Sequence, residues 1–405
     1  MSGERPLHGT RVLDLTRLLP GSYATLMLAD LGADVLKLED PRGGDHARQL
    51  PPLAGGTSAY FTVLNRNKRS MTLNLRAPEA AGILDRLVPS YDVVVDSFRP
   101  GTARRLGVDA GAMQRRNPRV ICASITGFGQ TGPYAERAAH DINYEALAGL
   151  LSLAGREPVV PGLLIGDIGA AYQATTQILA ALFSRERTRA AAVTGVPEAT
   201  ASSGVPGVPG VIDVSIHDAA LQWMVFPAAR WLVDGAAEDP RQIPLRGEAA
   251  HYNVYETSDG RWLALGALEE KFWVAFCDRV GRPDLARLHD VPGEDQSRAL
   301  AEVRALMRTR TRDEWQAHFA DIDACLTPVY SLDEALSDPH VAARGGVIRQ
   351  DGVTYIGSPP SAGEGVPGAS LIRPAPSLGA HTDDVLETLG IQADERAALR
   401  ARGVI

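Results

Sequence analysis

The chain has 405 residues, about twice or more the usual domain size, and can fill two hydrophobic cores. Its net charge of −8 argues against a nucleic-acid surface, which depends on clustered Lys and Arg. No apolar run reaches the ~18 residues of a membrane span, and the first residues do not resemble a signal peptide. We therefore expect a cytoplasmic protein without a membrane partner. Cys122, Cys277 and Cys325 lie far apart with no CxxC, which predicts neither a disulfide nor a metal site.

From residue 10 the sequence alternates between strand and helix patterns. Short apolar runs at residues 11–15 and 33–39 flank a helical stretch at 18–32, which predicts a parallel βαβ unit. Runs at 92–96 and 120–125 each follow another helical stretch and extend this alternation. The sequence therefore predicts an α/β fold with a doubly wound, Rossmann-like core.

A glycine pattern follows the fourth of these strands. Gly127, Gly129 and Gly132 form a GxGxxG sequence, the fingerprint of many dinucleotide sites. Pro133 comes next and no long apolar helix packs behind it, so the helix N-terminus that would bind a pyrophosphate is missing. The first βα turn has no such pattern either. We therefore expect no nicotinamide cofactor.

The second half of the chain contains two low-complexity connections. After predicted helices at 140–154 and 167–187, residues 188–210 contain almost no large apolar side chain, which predicts a mobile loop. A strand and a helix resume at 211–233, and a second linker follows at 234–248. The unit beyond it opens with a hairpin around Asp259-Gly260, a dipeptide typical of tight turns.

Polar residues that could carry acid–base chemistry stand at predicted helix starts. His140 and Asp141 begin one helix, Asp167 begins the next, and Glu269 precedes a helix at 271–280. Acids at such positions ordinarily cap free backbone N–H groups, and the pattern alone favours capping. The same location would also direct N–H donors at a developing anion. The glycines that flank Asp167 would leave room for a substrate at its carboxylate.

Taken in order, motifs along nearly the whole chain resemble those of the family III CoA-transferase (CaiB/BaiF) superfamily. The motifs are Val12-Leu13-Asp14-Leu15, Ala29-Asp30-Leu31-Gly32-Ala33-Asp34-Val35, Asn67-Lys68-Arg69-Ser70, Arg99-Pro100-Gly101, Arg105-Leu106-Gly107, Gly127-Phe128-Gly129-Gln130-Thr131-Gly132-Pro133, Gly166-Asp167, Asp323-Ala324-Cys325, Thr327-Pro328-Val329, Gly379 and His381-Thr382-Asp383. The resemblance implies a large Rossmann-like domain, residues 1–233 and 338–405, which the C-terminal tail completes. A small α+β domain of residues 248–330 would be inserted in it. Two chains would interlock as a homodimer, with the active site at the domain and subunit boundary.

The resemblance also implies the ligand, an acyl-CoA thioester, with no cofactor beyond its CoA moiety. The residues it assigns to CoA are Lys37, Arg42, Arg76, Arg105, Leu106, Asp141 and Tyr144. Arg76 and Arg105 match positions that contact the phosphates and the adenine end in relatives. Asp40 stands where some relatives have an Arg, so Arg42 or Lys37 would have to substitute for it.

The two branches of the superfamily predict different roles for Asp167. In the transferases the carboxylate at this position is a nucleophile that forms anhydride and thioester intermediates. Here the preceding helix begins with His140-Asp141-Ile142-Asn143-Tyr144, which resembles the α-methylacyl-CoA racemase motif. Glu269 lies in a run similar to the racemase glutamate segment, although Glu270-Lys271-Phe272 departs from it.

The resemblance therefore favours a racemase that moves the α-proton of a 2-methylacyl-CoA through an enolate. His140, polarised by Glu269, would serve one face of the α-carbon and Asp167 the other. A CoA-transferase with Asp167 as nucleophile is the alternative, and an acyl-CoA-binding regulator is a non-enzymatic one. The identity of the acyl group stays open.

Overall fold

A computed structural model describes residues 5–153, 157–194, 210–235, 245–289, 291–357 and 372–405. The chain divides into two compact units, Met1–Met224 with Arg344–Ile405 and Val225–Ala343. No helix among the described residues is both long and apolar enough to cross a membrane.

The strands and helices are numbered in chain order. The strands are β1 Arg11–Leu15, β2 Asp34–Glu39, β3 Leu53–Ala54, β4 Thr57–Ser58, β5 Lys68–Thr72, β6 Val93–Asp96, β7 Ile121–Thr126, β8 Val211–Ser215, β9 Tyr252–Glu256, β10 Trp262–Gly266, β11 Leu326–Pro328, β12 Val347–Gln350 and β13 Val353–Ile356. The helices are α1 Leu19–Asp30, α2 Ala59–Leu64, α3 Ala80–Leu87, α4 Thr102–Arg105, α5 Ala110–Arg116, α6 Asp141–Leu147, α7 Ile165–Thr194, α8 Ile216–Gln222, α9 Ala229–Asp234, α10 Glu270–Arg279, α11 Pro283–Ala286, α12 Glu294–Met307, α13 Arg312–His318, α14 Leu332–Ser337, α15 Pro339–Ala343, α16 Thr382–Thr388 and α17 Ala393–Ala401.

A parallel six-stranded sheet forms the centre of the first unit, in the order β5-β2-β1-β6-β7-β8. Alternate residues of its strands enter two separate hydrophobic cores, one on each face. Val12 packs in the core with α7 residues such as Ala174, whereas Leu13 packs in the opposite core with Leu84 of α3 and Leu386 of α16. Burial on both faces explains why these strands read as continuous apolar runs. The predicted α/β fold is confirmed.

The predicted strands at 11–15, 33–39, 92–96 and 120–125 are found as β1, β2, β6 and β7. Two predicted helices have wrong bounds. The helix predicted at 140–154 ends at Leu147, because Gly149 adopts a left-handed φ of 86° and a 3-10 turn follows. Helix α7 continues through Thr194, into the predicted loop, since the alanines of this stretch favour helix. Residues 195–209, the main part of that loop, lie outside the described residues.

The edge strand β5 is covered by the end of the chain. The backbone N–H of Thr72 donates to Thr382 Oγ1 at 3.0 Å, and the N–H of His381 donates to the Ser70 carbonyl at 2.9 Å. Farther along, the N–H of Asn74 donates to the carbonyl of Val404 at 2.7 Å. Residues of the C-terminal segment therefore take the place of a further strand beside β5.

In the second unit, a three-stranded antiparallel sheet, ordered β11-β10-β9, packs against helices. The predicted hairpin is confirmed, with β9 paired to β10 and Gly260 at a φ of 72° in the turn. Trp273, Phe276 and Trp315 are fully or almost fully buried in the core of this unit.

Candidate active site

Two acidic side chains of α6 cap the N-terminus of α7. Asp141 Oδ1 accepts a hydrogen bond from the backbone N–H of Asp167 at 2.7 Å, and Glu145 Oε1 accepts one from the N–H of Ile165 at 3.0 Å. The first N–H groups of a helix have no partner within that helix, so the two carboxyl groups satisfy donors that would otherwise be unpaired. Asp141 is thus a helix cap, as its position in the sequence indicates, but it caps α7 and not its own helix, α6.

Asp167 lies in the first turn of α7 and is half-buried. Burial, together with the neighbouring charges of Asp141 and Glu145, raises the pKa of this carboxyl group to about 7, and burial has the largest effect. A pKa near neutrality lets one carboxyl group serve as an acid or as a base in the same pH range.

The glycines beside Asp167 do not provide open space, contrary to the expectation from the sequence. A Cβ at Gly166 would lie 3.1 Å from Asp141 Oδ1, and one at Gly169 would lie 2.9 Å from Trp223 Nε1. Their missing side chains allow α7 to approach its protein neighbours closely. This packing holds the first turn of α7, and so the backbone of Asp167, in a fixed position.

His140 is the N-cap residue of α6, and its backbone N–H donates to Asn143 Oδ1 at 3.0 Å. Its side chain is exposed. Nearby, the Tyr144 hydroxyl donates to the carbonyl of Ala139 at 3.1 Å. Burial raises the pKa of Tyr144 to about 12, and the charge of Asp167 contributes to this rise.

The GxGxxG segment forms a wall beside Tyr144. Phe128 packs edge-to-face on Tyr144, with ring centroids 5.1 Å apart, and a Cβ at Gly127 would overlap the Tyr144 hydroxyl. The loop is anchored by Asp213, whose carboxylate accepts from the N–H of Gln130 at 2.9 Å. The glycines therefore serve close packing against α6 and tight turns of this loop.

The sequence-predicted residues fall in both units. His140, Asp141, Tyr144 and Asp167 all lie around the N-termini of α6 and α7 in the first unit. Glu269 belongs to the second unit, where it is the exposed N-cap residue of α10. Sequence reasoning missed Glu145, although its spacing of four residues from Asp141 on one helix is a usable signal.

A shallow pocket lies at the carboxyl ends of β1, β2 and β5, the edge where doubly wound sheets bind ligands. Its lining residues are Leu15, Arg17, Leu38, Glu39, Asp40, Leu73, Asn74, Leu75, Arg76, Phe98 and Leu106. Two residues predicted to contact CoA, Arg76 and Leu106, are therefore together here. The predicted Arg105 is the neighbour of Leu106 and is exposed, with its guanidinium donating to Thr102 Oγ1 at 2.9 Å.

Lys37 and Arg42, the suggested substitutes at the Asp40 position, have very different surroundings. Lys37 is fully buried, and its Nζ contacts Asp45 Oδ2 at 3.0 Å and donates to the Thr16 carbonyl at 2.9 Å. It therefore stabilises the interior and has no surface for a phosphate group. Arg42 is exposed and donates through two nitrogens to the Asp40 carboxylate, both at 3.1 Å, which lowers the pKa of Asp40. Of the two, only Arg42 is accessible, and its partner Asp40 lines the pocket.

The fold and this geometry define an α/β protein with a shallow pocket at the carboxyl edge of its sheet and two docked helices, α6 and α7, with His140 and Asp167 at their N-termini. Residues 7–382 match the family model described as CoA-transferase family III, and the chain belongs to that family. The chain is 32% identical to the succinyl-CoA–D-citramalate CoA-transferase of Chloroflexus aurantiacus, over 99% of this chain and 98% of the relative. It is 30% identical to the α-methylacyl-CoA racemase of Homo sapiens, over 98% of this chain and 97% of the relative. A solved CaiB/BaiF family protein from Brucella suis has a TM-score of 0.77 and 29% identity, covering 95% of this chain and 100% of the other.

Proposed function

We propose that the protein is an α-methylacyl-CoA racemase, which inverts the α-carbon of a 2-methylacyl-CoA thioester. One observation carries the proposal. His140 heads the helix whose Asp141 holds the first turn of α7, and that turn presents Asp167 with a pKa of about 7. A His and an Asp are thereby fixed by one pair of docked helices.

The proposed reaction needs two groups that exchange roles. In one direction His140 takes the α-proton from one face, electron density moves onto the thioester oxygen, and protonated Asp167 returns a proton to the other face. In the reverse direction ionised Asp167 takes the proton and the imidazolium of His140 returns one. Because the pKa of Asp167 lies near neutrality, both of its forms are populated at neutral pH. Glu269 receives its supporting role from the resemblance alone.

The CoA moiety would bind at the carboxyl edge of the sheet. The Arg76 side chain at the pocket and the Arg105 side chain beside Leu106 offer guanidinium groups suited to phosphate. Arg42, held by the pocket-lining Asp40, would add positive charge. No cofactor beyond the CoA moiety is needed for this chemistry. We also propose that two chains form an interlocked homodimer, as the family resemblance implies.

A CoA-transferase is the second candidate, because characterised relatives of both activities match this chain to a similar degree. In that reaction the Asp167 carboxylate would attack the thioester carbonyl, which forms a mixed anhydride and releases the CoA thiolate. The thiolate would then attack the Asp167 carbonyl of the anhydride, which gives an enzyme thioester and releases the donor's carboxylate. An acceptor carboxylate would reverse the two steps to give the new acyl-CoA and free Asp167. An ionised Asp167 carboxylate is required for the first attack. A pKa of about 7 also leaves part of Asp167 protonated at neutral pH, a form that the racemase uses and this attack does not, which favours the racemase.

One experiment separates the two functions. The protein is incubated with an optically pure 2-methylacyl-CoA in deuterated water, with and without hydroxylamine, and both substrate and protein are analysed by mass spectrometry. A racemase incorporates α-deuterium with loss of optical purity and acquires no adduct. A hydroxamate at Asp167, together with ping-pong kinetics toward a second carboxylic acid, would sink the racemase proposal.

A further inference from the structure

Glu145 contains a carboxylate oxygen whose hydrogen bonding is incomplete. The residue is 0% exposed, and Oε1 accepts from the N–H of Ile165 at 3.0 Å. Oε2 is buried as well and has no hydrogen-bond partner among the described residues when the group is ionised. A buried acceptor without a donor is unfavourable, and a buried negative charge without a cation more so.

The neighbouring carboxyl group of Asp141 resolves this situation if one proton is present. Asp141 lies one turn before Glu145 on the same face of α6 and is itself buried, so the two carboxyl groups are neighbours. Two carboxylates cannot hydrogen-bond to each other, whereas a protonated carboxyl group donates to an ionised one. Burial, followed by this contact, raises the pKa of Glu145 to about 7. A proton on Glu145 Oε2 would give this oxygen a partner, with Asp141 as the acceptor.

The other titratable groups near the pair are few. Helix α7 contributes Asp167, and helix α8, which packs against α6, carries His217 and Asp218 with Nδ1 and Oδ1 3.4 Å apart. The positive charge of Arg99 lowers the pKa of Tyr144, against the larger effect of burial. The pKa values of Glu145 and Asp167 are raised by burial and by the other carboxyl groups, and no cation contributes to either shift.

We propose that Asp141 and Glu145 share one proton and act together as positioning residues for Asp167. Asp141 Oδ1 and Glu145 Oε1 accept the hydrogen bonds that dock the first turn of α7. The single negative charge of the pair keeps both the protonated and the ionised form of Asp167 available. This inference deepens the proposed function and rests on it only for the catalytic use of Asp167. When the pair loses its proton, a second negative charge forms beside Asp167 and disfavours its ionisation further.

Infrared difference spectroscopy of the whole protein without substrate tests the pair. Spectra are recorded through a titration across neutral pH, following the C=O stretch of protonated carboxyl groups in the wild type, Glu145→Gln, Asp167→Asn and the exposed-site control Glu395→Gln. The amide of Glu145→Gln donates to Asp141 as the protonated acid does, so the docking is kept. We expect this variant to lose one band that titrates near neutrality, and the Asp167 band to move to lower pH by roughly one unit. The control should match the wild type.

Spectra of Glu145→Gln that superimpose on those of the wild type would overturn the proposal. If Glu145→Gln does not fold, the Asp167→Asn variant tests the same proposal. The titrations of Glu145 and Asp167 are coupled, and coupling between two sites is reciprocal. The remaining Glu145 band must then titrate at lower pH than in the wild type, and an unmoved band contradicts the shared proton.

The spectra do not depend on the reaction catalysed. If racemisation is absent but the bands shift as expected, the proposed function fails and the proton-sharing pair stands. If racemisation is present, Glu145→Gln should move the pH-rate limb assigned to Asp167 to lower pH with KM unchanged. A purely structural Glu145 would alter neither the bands nor that limb.

Discussion

The Asp141 carboxylate, on α6, accepts a 2.7 Å hydrogen bond from the backbone N–H of Asp167, on α7, across 26 residues of sequence. It lies beside His140, so one short helix carries both an exposed imidazole and the group that fixes its partner helix. Each part of this arrangement can be changed separately.

Removal of the Asp141 acceptor should destabilise the protein. Asp141→Ala leaves the N–H of Asp167 unpaired at a helix N-terminus, and the free energy of unfolding should fall by about 1–2 kcal/mol. Asp141→Asn keeps an oxygen acceptor and should recover most of that loss. Urea unfolding of the three proteins measures the difference. Equal losses in both variants would show that the hydrogen bond does not matter to stability.

His140 should matter to inversion and not to stability. Its side chain is exposed, so His140→Ala should unfold at the wild-type temperature, while loss of a general base should cut inversion at least ~10²-fold. The exposed His340→Ala serves as the matched control and should retain full activity. A mild effect of His140→Ala would favour the transferase.

Both directions of racemisation should show the same pH dependence, with a limb near neutrality. Each direction needs one proton on the Asp167 and His140 pair, because one direction uses ionised Asp167 with the imidazolium and the other uses protonated Asp167 with the imidazole. Asp167 has a pKa raised to about 7, so one limb of the bell-shaped profile of kcat/KM should lie near pH 7 for both enantiomers. Initial rates from each pure enantiomer, measured across neutral pH, test this. Profiles without a limb near pH 7 would contradict a role for Asp167 in proton transfer.

Arg76 should contribute to CoA binding through its charge. Arg76→Gln should raise KM for the acyl-CoA about tenfold with little change in kcat, because a charge-assisted contact to phosphate is lost. The increase should shrink at high salt. Arg115→Gln, an exposed change on α5, is the control. An unchanged KM in Arg76→Gln would remove the pocket from the proposed CoA site.

The sequence was informative where local pattern determines structure. Apolar runs predicted β1, β2, β6 and β7, and Asp259-Gly260 predicted the hairpin of the second unit. Strand β5 was missed because it begins with Lys68, whose buried Nζ donates to Thr25 Oγ1 at 2.8 Å and Asn65 Oδ1 at 2.9 Å. A charged residue satisfied by distant partners cannot be recognised as buried from its neighbours in sequence.

The candidate site divides in the same way. Helix starts at His140 and near Asp167 could be predicted, because polar residues there precede periodic apolar ones. That Asp141 caps a different helix, and that Lys37 is fully enclosed, depends on contacts between segments far apart in the chain. Such contacts follow from the packing of the sheet and its helices, which no local pattern specifies.

The cover over β5 has a consequence for synthesis of the protein. The groups that pair with this strand's outer edge include His381 and Thr382, some 300 residues after β5 itself. At ~5–20 residues per second, a ribosome needs roughly 15–60 s to produce them after β5 has emerged. During that interval the edge presents unpaired N–H and C=O groups to any other extended chain. An exposed sheet edge of this kind promotes pairing between chains, so we expect the nascent protein to aggregate more readily before residues 381 and 382 are made than after.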